Sequence, residues 1–167
     1  MQDNFSEGHE SGQSAKPTKS WSRRIFIALA ALLIGGVAFC EAQKAYWDYV
    51  TKGLCTKDGG IKVYETVPIA RDRLDAWGSF RIPYAQIKKP WDDYFSDSDT
   101  VYVKTGYPEV IRMHFAILRN QDHKILGEAV AYARRGGDFP SPAHDSSFLC
   151  PLNADLELGK RIFKPSD

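Results

Sequence analysis

VIRMHFAILRNQDHKILGEAVAYARR, residues 110–135, is the stretch that decides the fold. Ile111, Met113, Phe115 and Ile117 alternate with Arg112, His114, Ala116 and Leu118. A strand turns successive side chains to opposite faces, so four large apolar groups share one face. Asn120-Gln121-Asp122-His123 is turn chemistry, and 124–135 reads as the returning strand. The pattern predicts a long antiparallel hairpin.

Outward from the hairpin, GIKVYETV (60–67) reads as a strand entered through a turn at Asp58-Gly59-Gly60. ARDRLDAW (70–77) reads as a short helical turn. Residues 84–100, rich in Lys, Pro, Asp and Ser, read as a loop, and VYVKTG (101–106) as a short strand. LELGKRIF (156–163) reads as the last strand. The expectation is an α+β domain over 53–167 with four or five antiparallel strands and one or two helices, one of which covers a sheet face.

IFIALAALLIGGVAFC (25–40) carries no charge. As a helix it spans ~24 Å, short of a ~30 Å hydrocarbon core. Trp21 before it and Tyr46, Trp47 and Tyr49 after it supply interface anchors at headgroup level. The span is read as a transmembrane and juxtamembrane helix over 21–52, stopped by Gly53. The alternative is a signal peptide cleaved after Ala42, because Cys40-Glu41-Ala42 is a small-x-small site. Residues 1–20 are polar and read as a disordered cytoplasmic tail. Lys16, Lys19, Arg23 and Arg24 crowd the N-terminal flank. The positive-inside rule then puts the N-terminus in the cytoplasm and 53–167 in the periplasm, across the bacterial inner membrane. Ala31 and Gly35 form a small-xxx-small pair through which two such helices can dimerise.

Composition excludes several classes. The chain has 167 residues, 13% aromatic, with formal net charge +1. That is too aromatic and too neutral for a disordered protein, and it lacks the basic excess of a nucleic-acid binder. Four of the 22 basic and three of the 21 acidic residues lie within 1–40, so the remainder is balanced.

Chemistry-bearing motifs are sparse. His9, His114, His123 and His144 show no metal-ligand spacing, and Asp92, Asp93, Asp97 and Asp99 lack the order of a calcium loop. No metal, cofactor or catalytic residue is expected. Glu65 and Glu128 lie in strands and could face each other as a carboxylate pair. An envelope hydrolase would use the Arg134–Asp138 loop with a neighbouring carboxylate, and Glu65, Glu128 and His114 converging on one cleft would favour it. Arg134, Arg135, Gly136 and Gly137 read in two ways. They form an anion-gripping loop, or an arginine pairs with Asp138 as a structural tie. Cys55 and Cys150 lie at element boundaries on the exported side, where disulfides persist, and are expected to be bonded. The alternative is two small buried hydrophobes whose sulfurs never meet.

LCTKDGGIKVYETV (54–67) and the run from GYPEVIRMHFAIL to SSFLCP (106–151) resemble a group of small uncharacterised membrane-anchored envelope proteins of Gram-negative bacteria. The resemblance covers about half of the chain. It implies an envelope setting and one domain holding both cysteine stretches, and carries no activity. The expected function is a single-pass inner-membrane protein whose periplasmic domain binds another envelope protein or assists an assembly. A periplasmic immunity or inhibitor protein is the alternative within that class, and an envelope hydrolase the one outside it.

Overall fold

The computed structural model describes residues 19–138 and 145–166. The expected disordered tail, through residue 18, lies outside the described residues, as do His9 and His144. The chain divides after Gly35 into two compact units.

Helix α1, Lys19–Asp58, belongs in part to each. In the first unit it is the element described, and Ile25, Phe26, Leu32 and Leu33 stand exposed. It is long and apolar enough to cross a membrane. Gly53 does not end it, contrary to the expected stop. A glycine inside an exposed helix costs only about 1 kcal/mol, and the side chains of Cys55 and Asp58 beyond it are tied to the sheet. The stop is Gly59-Gly60 instead. The Gly59 N–H donates to the Cys55 carbonyl at 2.8 Å. A Cβ on Gly59 would meet that oxygen at 2.5 Å. Gly60 has φ +130°, which favours glycine.

The second unit is α+β. β1 is Gly60–Val63, β2 Val67–Ala70, β3 Tyr94–Lys104, β4 Glu109–Arg119, β5 Ile125–Arg135, β6 Ser147–Cys150 and β7 Phe163–Ser166, with α2 at Ala154–Ile162. Five strands form an antiparallel sheet in the order β1-β5-β4-β3, with β6 also on β5. β1 pairs with Gly127–Val130 and β6 with Tyr132–Arg135, so the two share one side of β5. β2 and β7 make a separate parallel pair.

The hairpin is as the alternation predicts: β4 and β5 are eleven residues each and pair along nearly their full length. Three expectations fail. GIKVYETV is two strands, because Tyr64 and Glu65 turn to donate their N–H groups to the Leu126 carbonyl. The second half of the expected 84–100 loop is strand, since β3 starts at Tyr94 and carries its Asp and Ser residues on an exposed edge. LELGKRIF is helix through Ile162. Ala154, Leu158 and Ile162 lie four apart and are its buried stripe. Asp155 and Glu157 in its first turn and Lys160 and Arg161 in its last suit the helix dipole.

The core lies between α2, the β2–β7 pair and one face of the sheet. Phe163 packs between Phe80 and Tyr94, with ring centroids at 4.9 and 5.1 Å. Under α2 the sheet offers Gly127, where a Cβ would lie 2.8 Å from the Lys62 carbonyl and 2.9 Å from Ile162. Gly127→Ala is therefore expected to lower stability by about 1–3 kcal/mol through overpacking. Gly159 of α2, outside the buried stripe, has nothing within 4 Å of an added Cβ. Gly159→Ala is expected to raise stability by about 0.5–1 kcal/mol. Denaturant unfolding in mild detergent compares the two, and equal effects would sink this account of the packing.

Candidate functional site

The sheet face opposite α2 is polar. From α1, Lys44, Asp48, Thr51, Cys55 and Asp58 fall at spacings of four and three, one stripe of a helix. Arg134 lies only 2% exposed beneath that stripe. Its Nε donates to Asp48 Oδ1 at 2.6 Å, and its Nη1 donates to the Ser146 carbonyl and Oγ at 3.1 and 3.0 Å and to the Gly136 carbonyl. Asp138 takes Lys44 at 3.3 Å and the Ser146 N–H at 2.6 Å. The Ser146 side chain first, then its N–H and the Lys44 ammonium, hold the Asp138 carboxyl below the usual range. Asp58 accepts from Arg112 and from the Tyr132 hydroxyl, each at 2.8 Å. Between these pairs Cys55 and Cys150 form a disulfide, with Cα atoms 6.0 Å apart.

Each residue expected to matter has a place. The Arg134 guanidinium is turned inward onto Asp48 and the loop carbonyls, while Asp138 belongs to Lys44 and Ser146. Arg135 is on the outer face, 3.4 Å from Glu109. Gly136 and Gly137, both at positive φ, are buried against Tyr107 and Pro108; a Cβ on Gly136 would collide with the Tyr107 ring, and one on Gly137 would sit tight against Pro108 at 3.2 Å. Glu65 and Glu128 are not brought together. Glu65 binds Arg119 and Lys124, and chiefly the Lys124 contact depresses its carboxyl. Glu128 instead gathers Tyr64 and His114, whose Nε2 is 2.8 Å away. Among the interface anchors, Trp21, Tyr46 and Tyr49 are exposed, while Trp47 lies under the Lys104 ammonium. Ala31 and Gly35 are exposed in the first unit. Among the described residues no group of His, Cys, Asp and Glu could hold a metal ion.

The other candidate lies on the α2 side, at the outer edge of β3. A cavity of about 200 Å³ opens there. Phe80, Ile82, Phe115, Ile117 and Leu158 supply its apolar wall, and Ser96 and Ser98 of β3 its rim. At Ser96 the edge is covered, its carbonyl accepting from Ala85 and its N–H donating to Pro83. Beyond Asp97, β3 pairs only with β4 among the described residues. Val101, Tyr102 and Val103 are each about half exposed there. This is the geometry of a strand edge that can accept a further strand beside a pocket for its side chains. Sequence reading missed it because Asp and Ser disguised the strand. It also missed Asp48 and Asp58, although the four-three spacing around Cys55 carried a signal. No family model, no curated protein and no solved structure matches the chain.

Two expectations follow from the polar face. Arg134→Ala strips a buried carbonyl cluster and Asp48 of their donor, and is expected to cost about 2–4 kcal/mol, the half-open Asp48 side holding it below a fully buried pair. Arg135→Ala is expected to cost under about 0.5 kcal/mol. Denaturant midpoints of the two single variants decide it; similar midpoints would show that Arg134 is no structural tie. The second concerns acid. The Tyr64 and then the His114 hydrogen bonds hold the Glu128 carboxyl below its ordinary 4.5. Its ionised form is thus favoured by folding, so its stabilisation is whole above about 4.5 and is lost as pH falls through the lowered value. Thermal unfolding followed from neutral pH downward should show a plateau and then a fall, and Glu128→Gln should shrink the fall. An unchanged acid limb would remove Glu128 from it.

Proposed function

We propose that this chain is a single-pass protein of the bacterial inner membrane, with its N-terminus in the cytoplasm and its α+β domain in the periplasm. That domain binds another envelope protein through the open edge of β3. The observation that carries the reading is that edge: backbone unpaired among the described residues beside an apolar cavity, in a domain continuous along the chain with an apolar helix. The orientation rests on Lys16, Lys19, Arg23 and Arg24 ahead of the apolar run and on the neutral remainder. The disulfide suits an oxidising compartment, and the likeness of 54–67 and 106–151 to envelope proteins points the same way. Inhibition of an incoming toxin is one form such binding can take.

An enzyme reporter that works only in the periplasm, fused at the C-terminus, is expected to be active, and one that works only in the cytoplasm to be silent. The reverse overturns the orientation. A photo-crosslinking amino acid at Thr100 in intact cells is expected to trap one adduct of defined mass, absent when the same group stands at the exposed Arg161 on α2. No adduct from Thr100, or the same adducts from both positions, overturns the binding reading.

A further inference from the structure

We infer that the occupant of the β3 edge is an extended segment of a partner protein whose side chains alternate between apolar and basic. This deepens the binding reading and rests on it. In an antiparallel pair, alternate residues turn their N–H and C=O away from the partner strand. Ser96 does so, meeting Pro83 and Ala85. By the same alternation Ser98, Thr100 and Tyr102 turn theirs outward. The Ser98 N–H is held by Asp97 Oδ1 at 3.0 Å. Those of Thr100 and Tyr102 meet no group among the described residues. An added strand would satisfy them, and that demand is independent of side-chain identity.

The two faces of the added strand then meet different surroundings. Residues directly opposite one another share a face. Positions opposite Ser98 and Thr100 fall on the α2 side, where the cavity offers Phe80, Phe115 and Leu158 to an apolar side chain. Positions opposite Asp97 and Asp99 fall on the other side. Both carboxylates are exposed, and neither has an ion pair among the described residues. On β4 their neighbours are Ala116 and His114, and the His114 Nε2 is already held by Glu128. Basic side chains opposite them complete two charge pairs. The incoming backbone also displaces Asp97 from the Ser98 N–H, freeing that carboxylate for its new partner. The recognised chemistry is therefore an alternation: every second residue apolar, the intervening ones Lys or Arg.

The full chain in neutral detergent micelles, titrated with capped synthetic peptides and followed by backbone amide shifts, tests this. A peptide alternating Lys and Leu is expected to shift Ser98, Thr100 and Tyr102 and to bind about tenfold more tightly than one alternating Glu and Leu. Asp97→Asn with Asp99→Asn is expected to erase that difference. Thr100→Pro is expected to abolish binding while the β4 and β5 amides stay in place, because its N–H faces outward and proline is tolerated at such edge positions. Should that variant lose its fold, the same peptide N-methylated at alternate amides, in both registers, reads the backbone demand on the unaltered protein. One register is expected to fail. Equal binding of the Lys and Glu peptides, shifts lying away from β3, or undiminished binding of both methylated forms overturns the alternating segment. Those results leave the binding reading standing, whereas a Thr100 crosslinker that traps nothing in cells removes that reading itself.

Discussion

A guanidinium with 2% of its surface exposed constrains the second unit more than any apolar contact. A charge taken out of water must find partners, and Arg134 finds them in Asp48 of α1 and in the loop around Ser146. Only one rotation of α1 presents Asp48 there. The same rotation presents Cys55 to Cys150 and Asp58 to Arg112 and Tyr132. Buried ion pairs add little net stability once desolvation is counted, but they set which groups meet. Stability on this face rests more on the disulfide. It closes a sequence separation of 95, for which chain entropy gives a ceiling of roughly 4–5 kcal/mol. Register comes from the charge, and holding power from the covalent bond.

The opposite face follows the reverse logic. β4 presents Met113, Phe115 and Ile117, while β5 presents Gly127, Ala129 and Ala131. α2 seats over the small side chains of β5, as the close approach to Gly127 shows. Coverage thins away from that line, toward β3, so Met113 and Phe115 remain only partly buried. The cavity at the β3 rim is the unfilled end of that wedge. Pulling α2 close on one side thus leaves apolar surface reachable on the other.

How much of this could be read from the residues depended on how local the cause was. The β4–β5 hairpin was legible because its alternation is unbroken and its turn chemistry sits at the right place. α2 is hard to read because Leu156, Leu158 and Ile162 all fall on a period of two, while Leu156 lies off the period-four stripe of Ala154, Leu158 and Ile162. The acid-first, base-last order of Asp155, Glu157, Lys160 and Arg161 is the signal in the sequence that favours the helix. β3 was half lost since Asp and Ser are poor strand formers, and only its pairing with β4 makes 94–100 a strand. Arg134 and Arg135 are indistinguishable in sequence, yet strand alternation turns the first inward and the second out. The partner of the first lies 86 residues away, beyond any local pattern. The polar stripe around Cys55 would have hinted at it.

The two sides of the sheet are finished unequally, and the proposed binding rests on that asymmetry. β1 and then β6 occupy the free side of β5 in turn, so little of it is left open. At the other side, among the described residues, only Ser96 is covered. An open strand invites indiscriminate pairing, and charged side chains and bulges are the common protections. This edge has both: Asp97 and Asp99, and a register shift between Tyr102 and Lys104. Asp97 goes further, since its carboxylate occupies a backbone donor that a stray strand would need. Such protection is selective by its nature. Acidic side chains repel an acidic or neutral strand that would leave them desolvated and unpaired, and they reward a basic one. On the proposed reading, the residues that keep the edge from indiscriminate pairing are the same ones that define what it accepts.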